Sequence, residues 1–428
     1  MKIKFYGARG SIPSPSRSTI KYGANTSCIE VRTRSNDIII LDAGTGIRRL
    51  GVQIIKDSDE TTLMEKNVEF IVEEMVRDLV EERSEGLRAL EGSKPYKKDI
   101  HLFLSHFHWD HIQGFPFFVP AYIPGYNINI YGQLKADHRL RDVFDGQQSK
   151  TYFPVYLDVM QAQKNFHEIV EDTIVIGDTL VTSRGLAHPQ GCLGYRITCG
   201  EMTVAYATDN EHPEDGSINP NILELAENAD IFIYDCQYTP DEYEMKKYWG
   251  HSTWREGIRI AREAGASKLI LFHHDPEHDD EFIGDMERKA RDEFPNLLAA
   301  YEGLEITDFP CEPTEMPEAG TGDEAAGDAG VESGDGAALV RIGENLRALE
   351  SETFRTALAA ALDNGARKVA FDCSQATSAA RHGLIALADA VDLARRRGAD
   401  VALSGAAERL HYLLKMARFD IISKIENK

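Results

Sequence analysis

Short apolar runs separated by turn residues occupy much of the chain before residue 310. Their Val, Ile, Leu, Phe and Tyr residues alternate with polar ones or cluster over a few positions, which predicts β-strands. These runs are KIKFYG, SCIEVRT, DIIILDAG, DIHLFLSH, NINIYG, TIVIGDTLVTSRG, LGYRITC and TVAYATD. Helical spacing comes later, in HSTWREGIRIAREAG, which ends on Gly265 and is followed by the buried strand pattern SKLILFHH. The mixture predicts an α/β sandwich.

Residues 59–91 interrupt the strands with an acidic helical pattern. The apolar positions that fall along one side of this helix are Leu63, Val68, Ile71, Val72, Met75, Leu79 and Leu87. Two interpretations stay open: a surface helix packed on its own domain, or a dimerisation or lid element.

A composition change divides the chain. Residues 311–336 are small, rich in Gly and Pro, and acidic without a basic residue, which predicts a flexible linker. Residues 1–310 then form one domain and residues 337–428 a smaller one. In the second domain, strand patterns AALVRI, RKVAFDC and DVALSG alternate with the helical patterns SETFRTALAAALDNG, HGLIALADAVDLARRRG and AERLHYLLKMAR.

Charge and cysteine usage narrow the partners and the location. The formal net charge is −23, with 70 acidic and 47 basic side chains and no run of lysines or arginines that would supply a track for a phosphate backbone, so we expect no long nucleic acid partner. A small anionic substrate is compatible with this charge, because bound metal ions can dominate the field in one pocket. The six cysteines are scattered without a CxxC pair, and the chain opens without a secretory leader. Without an apolar run of membrane-spanning length, we expect a cytoplasmic protein.

The stretch SHFHWDH, directly after an apolar run, places His106, His108, Asp110 and His111 within six positions. In an extended segment alternate side chains point the same way, so His106 and His108 can reach one ion while Asp110 and His111 turn elsewhere. The spacing suits two neighbouring divalent metal ions. Imidazole and carboxylate groups bind zinc, manganese or iron, and the choice among them stays open.

This motif resembles the HxHxDH signature of the metallo-β-lactamase superfamily. Further matches follow in order: GLAHPQG supplies His188, YATDNE supplies Asp209, and LILFHHDP supplies His273, with His274 as the alternative. The resemblance spans roughly residues 1–310 and implies an αββα sandwich. By the resemblance, one metal ion is held by His106, His108 and His188, the other by Asp110, His111 and His273, and Asp209 bridges both.

The segments FYGARGSIPSPS, YGANTSCIEV and ILDAGTGIRRLG resemble the phosphodiesterase branch of that superfamily, which contains ribonuclease Z and cyclic nucleotide phosphodiesterases. In GHSTWREG, His251 matches the histidine that donates a proton in those relatives, and the alternative is a helix-start residue. The resemblance implies His251 as the acid for the leaving group and Asp110 as a residue that orients the nucleophile.

Three residues are candidates for substrate contacts. Arg9 lies in a glycine-containing loop and could bind a phosphate or brace the loop. Tyr152 and Phe153 could be walls for a nucleobase or part of the core. The favoured substrate is a 3',5'-cyclic nucleotide or a comparable small phosphodiester. The alternatives are a ligand sensor without turnover, and a hydrolase of RNA or of a thioester.

The second domain resembles a STAS domain, the anti-sigma-factor-antagonist fold, through VAFDCSQATSAARHGLIAL. Where that family usually carries an aspartate and a phosphorylatable serine or threonine, this chain has Ala380 and Arg381. We therefore expect a domain that binds a protein partner or assembles copies of the chain, without phosphoryl switching at that site.

Overall fold

A computed structural model describes residues 1–57, 98–307, 329–334, 337–342, 349, 352–376, 381–405 and 424–426. The helix predicted over 59–91 lies outside these residues. The chain divides into two compact units. The first comprises Met1–Gly132, Leu140–His167 and Thr173–Thr314, and the second comprises Gln133–Arg139, Glu168–Asp172 and Glu315–Lys428. Within the described part of the chain, no helix has the length and apolarity needed to cross a membrane.

The first sheet has seven strands in the order β14-β1-β2-β3-β4-β5-β6. Their bounds are β1 Lys2–Gly7, β2 Cys28–Arg32, β3 Ile38–Leu41, β4 Lys98–Phe103, β5 Tyr126–Gln133, β6 Gln163–Ile169 and β14 Glu305–Ile306. Strands β3, β4 and β5 run parallel to one another. The carboxyl ends of these three strands therefore meet at one edge.

The second sheet also has seven strands, in the order β13-β12-β11-β10-β9-β8-β7. Their bounds are β7 Thr173–Ile176, β8 Thr179–Leu186, β9 Cys192–Cys199, β10 Met202–Ala207, β11 Ile231–Asp235, β12 Leu269–Phe272 and β13 Leu297–Ala299. Strands β10 to β13 are parallel. The sequence pattern treated TIVIGDTLVTSRG as one strand, which was wrong, because Gly177 adopts a positive φ of 56° and turns the chain into the β7–β8 hairpin.

Aromatic side chains join the inner faces of the two sheets. The rings of Phe5 and Phe272 lie 6.1 Å apart, and those of Phe103 and Tyr195 lie 5.3 Å apart. The Tyr206 hydroxyl crosses the same interface and donates to the Asp42 carboxylate over 2.6 Å. These buried contacts hold the sheets face to face as a β-sandwich.

Helices cover the outer faces of the sandwich. Those of the first unit are α1 Ile47–Asp57, α2 Trp109–Ile112, α3 Leu140–Gln147, α4 Pro220–Ala226, α5 Pro240–Tyr243, α6 Trp254–Glu263 and α7 Asp280–Glu293. Helix α1 packs Leu50 and Ile54 into one buried cluster with Ile40 of the first sheet. Helix α6 packs Ile258 into another cluster with Leu271 of the second sheet. This layering confirms the predicted αββα fold class.

The second unit contains a five-stranded sheet of order β15-β16-β17-β18-β19. Its elements are β15 Ala329–Gly334, β16 Ala337–Ile342, α8 Glu352–Asp363, β17 Lys368–Asp372, α9 Arg381–Arg396, β18 Asp400–Ser404 and β19 Lys424–Glu426. Strand β15 falls inside the range predicted as linker, and it pairs antiparallel with β16 along its whole length. The predicted alternation of strands and helices is confirmed up to residue 405, and the last predicted helix lies outside the described residues.

Candidate metal centre

The candidate site lies where the parallel strands of both sheets end. Asp42 follows β3, and the loop with His106 and His108 follows β4. Across the sandwich, Asp209 comes two residues after β10, and His273 directly follows β12. Because side chains that leave parallel strands at their carboxyl ends converge, residues far apart in the sequence meet here.

Three histidines form one group of donors. The ligating nitrogens of His106, His108 and His188 all lie within 4.8 Å of one another. His188 Nε2 and His108 Nδ1 are 3.2 Å apart. His106 Nε2 is buried and has no hydrogen-bond partner. A buried ring nitrogen without a partner is costly unless a cation takes it up, so this group fits a metal ion.

A second group faces the first. His111 Nε2 and His273 Nε2 lie 3.2 Å apart, and both approach Asp110 Oδ2, at 3.1 and 3.2 Å. All three side chains are buried. Two ring nitrogens and one carboxylate oxygen that converge in this way form a donor set suited to a second divalent cation.

Asp209 stands between the two groups. Its Oδ2 is 3.3 Å from the Nε2 atoms of both His111 and His273, and its Oδ1 is 3.7 Å from His106 Nε2. Burial alone would raise the pKa of this carboxyl, but the surrounding histidines hold it well below its usual range. Asp209 is therefore an anion at neutral pH, in a bridging position between the donor groups.

The outward nitrogens of three of these histidines are held by oxygen acceptors. His111 Nδ1 donates to Asp42 over 2.8 Å, His273 Nδ1 to the Gln237 side chain over 2.9 Å, and His188 Nδ1 to the Gly250 carbonyl over 2.8 Å. Each bond orients the ring so that Nε2 points into the cluster, where it can bind a cation. Sequence reasoning missed these three acceptors, although Asp42 directly follows a predicted strand.

Two glycines allow the backbone to approach the histidine rings closely. A Cβ atom on Gly10 would lie 2.4 Å from His273 Nδ1, and one on Gly250 would lie 2.3 Å from His188 Nδ1. Gly250 also has a φ of 87°, which disfavours any other residue. Both positions thus need glycine for the site to have this shape.

His251 lies beside the cluster and is paired with Asp235. Its Nδ1 donates to Asp235 Oδ2 over 3.0 Å and lies 3.6 Å from Asp209 Oδ1. Burial acts to lower the pKa of His251, but the charge and hydrogen bond of Asp235 outweigh it and raise the pKa to about 9. The helix-start role belongs to Thr253, whose hydroxyl caps α6. Sequence reasoning missed Asp235.

The two adjacent histidines after β12 point to different surroundings. His273 enters the cluster with a left-handed backbone, at a φ of 63°. His274 instead donates from Nε2 to the Ala300 carbonyl over 2.9 Å, and its ring meets that of Tyr22 edge-on. The structure places His273 with the other candidate ligands and His274 outside them.

The three candidate substrate contacts do not join this cluster. Arg9 is fully buried, and its guanidinium donates to the carbonyls of Gly23, Asp275 and His278, a placement that favours loop bracing over phosphate binding. These three hydrogen bonds connect the Arg9 loop to the backbone at residues 23, 275 and 278. Phe153 packs edge-on against Phe117 at 5.4 Å and borders a core cluster. Tyr152 is 72% exposed, and no ring contact ties it to the cluster.

Two family models match the chain. Residues 63–274 match the beta-lactamase superfamily domain, and residues 329–425 match the STAS domain described as Mlab. The first family uses divalent metal ions, typically two. The donor groups described above suit that number of ions.

Proteins from other organisms are similar to part of this chain. Ribonuclease Z of Bacillus licheniformis is 24% identical over 255 residues, which cover 48% of this chain and 79% of that protein. The probable metallo-hydrolase YhfI of Bacillus subtilis is 28% identical over 206 residues, or 46% of this chain and 74% of that protein. The match to the crystal structure of Bacillus subtilis YhfI covers 71% of this chain and 98% of the YhfI chain, with 21% sequence identity and a TM-score of 0.48.

Proposed function

The chain belongs to the metallo-β-lactamase superfamily of metal-dependent hydrolases and joins that domain to a STAS domain. From this membership we propose that it hydrolyses a small phosphodiester. We propose a 3',5'-cyclic nucleotide as that substrate. The observation that carries the proposal is the buried His251–Asp235 pair beside Asp209. A phosphodiester releases a poor alkoxide leaving group, which needs a positioned acid. His251, held by the buried Asp235 carboxylate that favours its protonated form, meets that need.

In the proposed reaction, side chains of both donor groups hold the cations and orient the water that attacks phosphorus. Two divalent cations held there would acidify water to form the nucleophile and would offset the charge that builds on the phosphate. Asp110 Oδ2 accepts a hydrogen bond from the backbone of Ser11 over 2.7 Å, which fixes the carboxylate while it orients the attacking water. His251 has Nδ1 occupied by Asp235, so Nε2 is the nitrogen that donates the proton to the leaving oxygen.

RNA cleavage is the second candidate, because several relatives, including that of Bacillus licheniformis, carry the name ribonuclease Z. The formal net charge of −23 weighs against a long polyanion, since binding one relies on cationic contacts with its phosphates. A small diester avoids this repulsion. Two further alternatives are a thioester hydrolase and a ligand sensor without turnover. The substrate tests described next distinguish both from a phosphodiesterase.

The test compares two diesters with different leaving groups on protein loaded with zinc, manganese or iron(II). We expect His108→Ala to abolish turnover of both 3',5'-cyclic AMP and bis-p-nitrophenyl phosphate. His251→Ala should slow cyclic AMP about 100- to 10,000-fold, and bis-p-nitrophenyl phosphate far less, because p-nitrophenolate leaves without a proton. His138→Ala changes a histidine outside the cluster and serves as the matched control.

Three results would redirect the assignment. Turnover of a precursor transfer RNA but of neither diester would move it to RNA. Thioester cleavage without diester cleavage would move it to that class. Two cations bound per chain, with ligand binding and no turnover of any substrate, would support the sensor.

We further propose that residues 1–310 form the hydrolase and that the STAS domain binds a protein partner. The strand at Ala329–Gly334 shortens the proposed linker from 311–336 to 311–328. Limited proteolysis should therefore cut first within 311–328 and release two resistant fragments. Early cleavage inside either domain instead would contradict this division.

A further inference from the structure

Four large apolar side chains stay exposed on the segments that carry or contact the candidate metal ligands. Ile12 is 58% exposed, Trp109 is 59%, Tyr248 is 72% and Trp249 is 63%. We refer to these four residues as the apolar rim. Apolar side chains kept in water near a functional site indicate a binding surface, because burying them against a ligand is favourable.

The rim comes from three separate segments, and each segment contains a candidate ligand or a residue whose backbone is hydrogen-bonded to one. Ile12 follows Ser11, whose backbone donates to Asp110. Trp109 stands in the chain between His108 and Asp110. Trp249 precedes Gly250, whose carbonyl accepts from His188. Because neighbouring Cα atoms are about 3.8 Å apart, each of these rim residues starts within a residue's length of a group at the centre.

The segment that carries Tyr248 and Trp249 is held in one conformation. Glu211 accepts from the Tyr243 hydroxyl over 2.5 Å and from the Gly250 backbone over 2.7 Å. Tyr248 has a left-handed φ of 71°, which is unfavourable for an aromatic residue. An exposed side chain that gains nothing from packing, on a backbone held in a costly conformation, points to a role outside folding.

There is room for a ligand beside this segment. A cavity of about 780 Å³ has the rim residue Tyr248 in its wall, together with Glu211 and Thr253, whereas neither the rim tryptophans nor the candidate metal ligands line it. This volume lies within the range of small-molecule sites, which is about 300–1,000 Å³.

The cations of the same segment are already paired. Lys246 contacts Asp275 at 3.0 Å, and Lys247 contacts Glu244 at 2.8 Å. Each lysine charge is thus matched by a neighbouring carboxylate. This part of the rim offers aromatic surface rather than positive charge to a substrate.

We propose that the apolar rim binds the nucleobase of a small nucleotide substrate, with the base stacked on Trp249 or Trp109 while the phosphate lies at the metal centre. This inference rests on the proposed function and adds its specificity. Stacking of a base on an aromatic side chain contributes about 1–3 kcal/mol, which is roughly 5- to 150-fold in affinity. The rim would therefore select nucleotides over sugar phosphates of the same charge.

The experiment measures binding, so it does not depend on turnover. AMP and ribose 5-phosphate share the phosphate and the ribose and differ in the base. By calorimetry on the full, metal-loaded chain, we expect AMP to bind roughly 5- to 150-fold more tightly than ribose 5-phosphate. Trp249→Ala should reduce this ratio, and Trp249→Phe should retain most of it. Tyr301→Ala, which removes an aromatic residue that is 40% exposed elsewhere, is the control and should leave the ratio unchanged.

Equal binding of AMP and ribose 5-phosphate would overturn the inference, as would a Trp249→Ala variant that weakens both ligands equally. If Trp249→Ala leaves the affinity ratio of AMP to ribose 5-phosphate unchanged, Trp109→Ala tests whether the base stacks on Trp109 instead. An unchanged ratio in both variants would rule out base binding by the apolar rim. Loss of phosphodiester turnover with a retained preference for AMP would reject the proposed reaction and leave the rim in place.

Discussion

Asp235 accepts a hydrogen bond from His251 over 3.0 Å and, through its other oxygen, from the backbone of Ser252 over 3.2 Å. The carboxylate is fully buried. It therefore acts on the histidine both as a negative charge that stabilises the protonated ring and as a fixed acceptor that sets its orientation.

This relationship predicts the effect of Asp235→Asn. The amide removes the charge and turns an NH2 group toward N–H donors on one side, since both carboxylate oxygens accept from N–H groups. Less of His251 is then protonated, and turnover of an alkoxide-releasing diester should fall by about tenfold or more. The double variant with His251→Ala should be no slower than His251→Ala alone, because the two residues act as a unit. Steady-state kinetics on cyclic AMP test this, and additive losses would contradict it.

Asp42 is predicted to govern metal affinity without touching the ions. Its carboxylate holds His111 Nδ1 and also accepts from Tyr206 and Ser105. Asp42→Asn should weaken the affinity for the second cation by about 10- to 100-fold, which is typical of acceptors behind a ligating histidine. Competition with a chelator gives the affinity, and thermal unfolding of the metal-free protein shows whether the variant is still folded. Unchanged affinity in a folded variant would refute the role.

Gly10→Ala is predicted to displace His273. The new Cβ would lie 2.4 Å from the ring, too close for any real contact, so the ring or the loop must shift. We expect a loss of metal affinity and activity. Gly146→Ala is the matched control, since it lies in α3 with nothing within 4 Å of the added atom. That change should leave activity intact and stabilise the protein by up to about 1 kcal/mol.

Arg9→Met is predicted to affect folding rather than substrate affinity. The substitution leaves buried carbonyl groups of Gly23 and Asp275 without donors, which costs about 1–3 kcal/mol for each group left unpaired. The midpoint of urea denaturation should fall, whereas the KM for a diester should change little in whatever protein remains folded. A normal midpoint with a strongly raised KM would restore the phosphate-binding role.

Cys373 is predicted to be unreactive in the folded protein. Burial raises the pKa of its thiol to about 12, and the thiolate is the reactive form. In a Cys311→Ser variant, a disulfide reagent at pH 8 should label no cysteine quickly, because the other five are all buried. Labelling should become rapid in denaturant. Fast labelling of Cys373 under native conditions, located by peptide mapping, would show that the second unit opens.

Spacing predicted only the candidate ligands of the SHFHWDH stretch, whereas His188, Asp209 and His273 were predicted from the resemblance to the metallo-β-lactamase superfamily. Asp235 and Gln237 stand in YDCQY, which carries no such spacing, and their contacts with His251 and His273 exist only after the sheets have formed. The two interpretations of Arg9 stayed open for a related reason. Its acceptors at Asp275 and His278 are far away in the sequence, so its burial could not be anticipated from the glycine-containing loop.

The apolar rim was missed because exposure is a tertiary property. Trp109 and Trp249 are indistinguishable in the sequence from core residues, and only the fold shows that they remain in water. Conversely, Phe153, which was a candidate wall for a base, packs against Phe117. Local pattern thus located the chemistry, while the surface that would choose the substrate required the structure.

Asp42, Asp209 and His273 all adopt a left-handed backbone, with φ values of 62°, 53° and 63°. Each such residue costs about 1–3 kcal/mol, so the protein gives up folding stability to aim these three side chains. A glycine at any of these positions would relax the backbone and remove the ligand or its support. Function and stability therefore oppose each other here, and selection for thermostability alone would be expected to erode the site before it altered the sandwich.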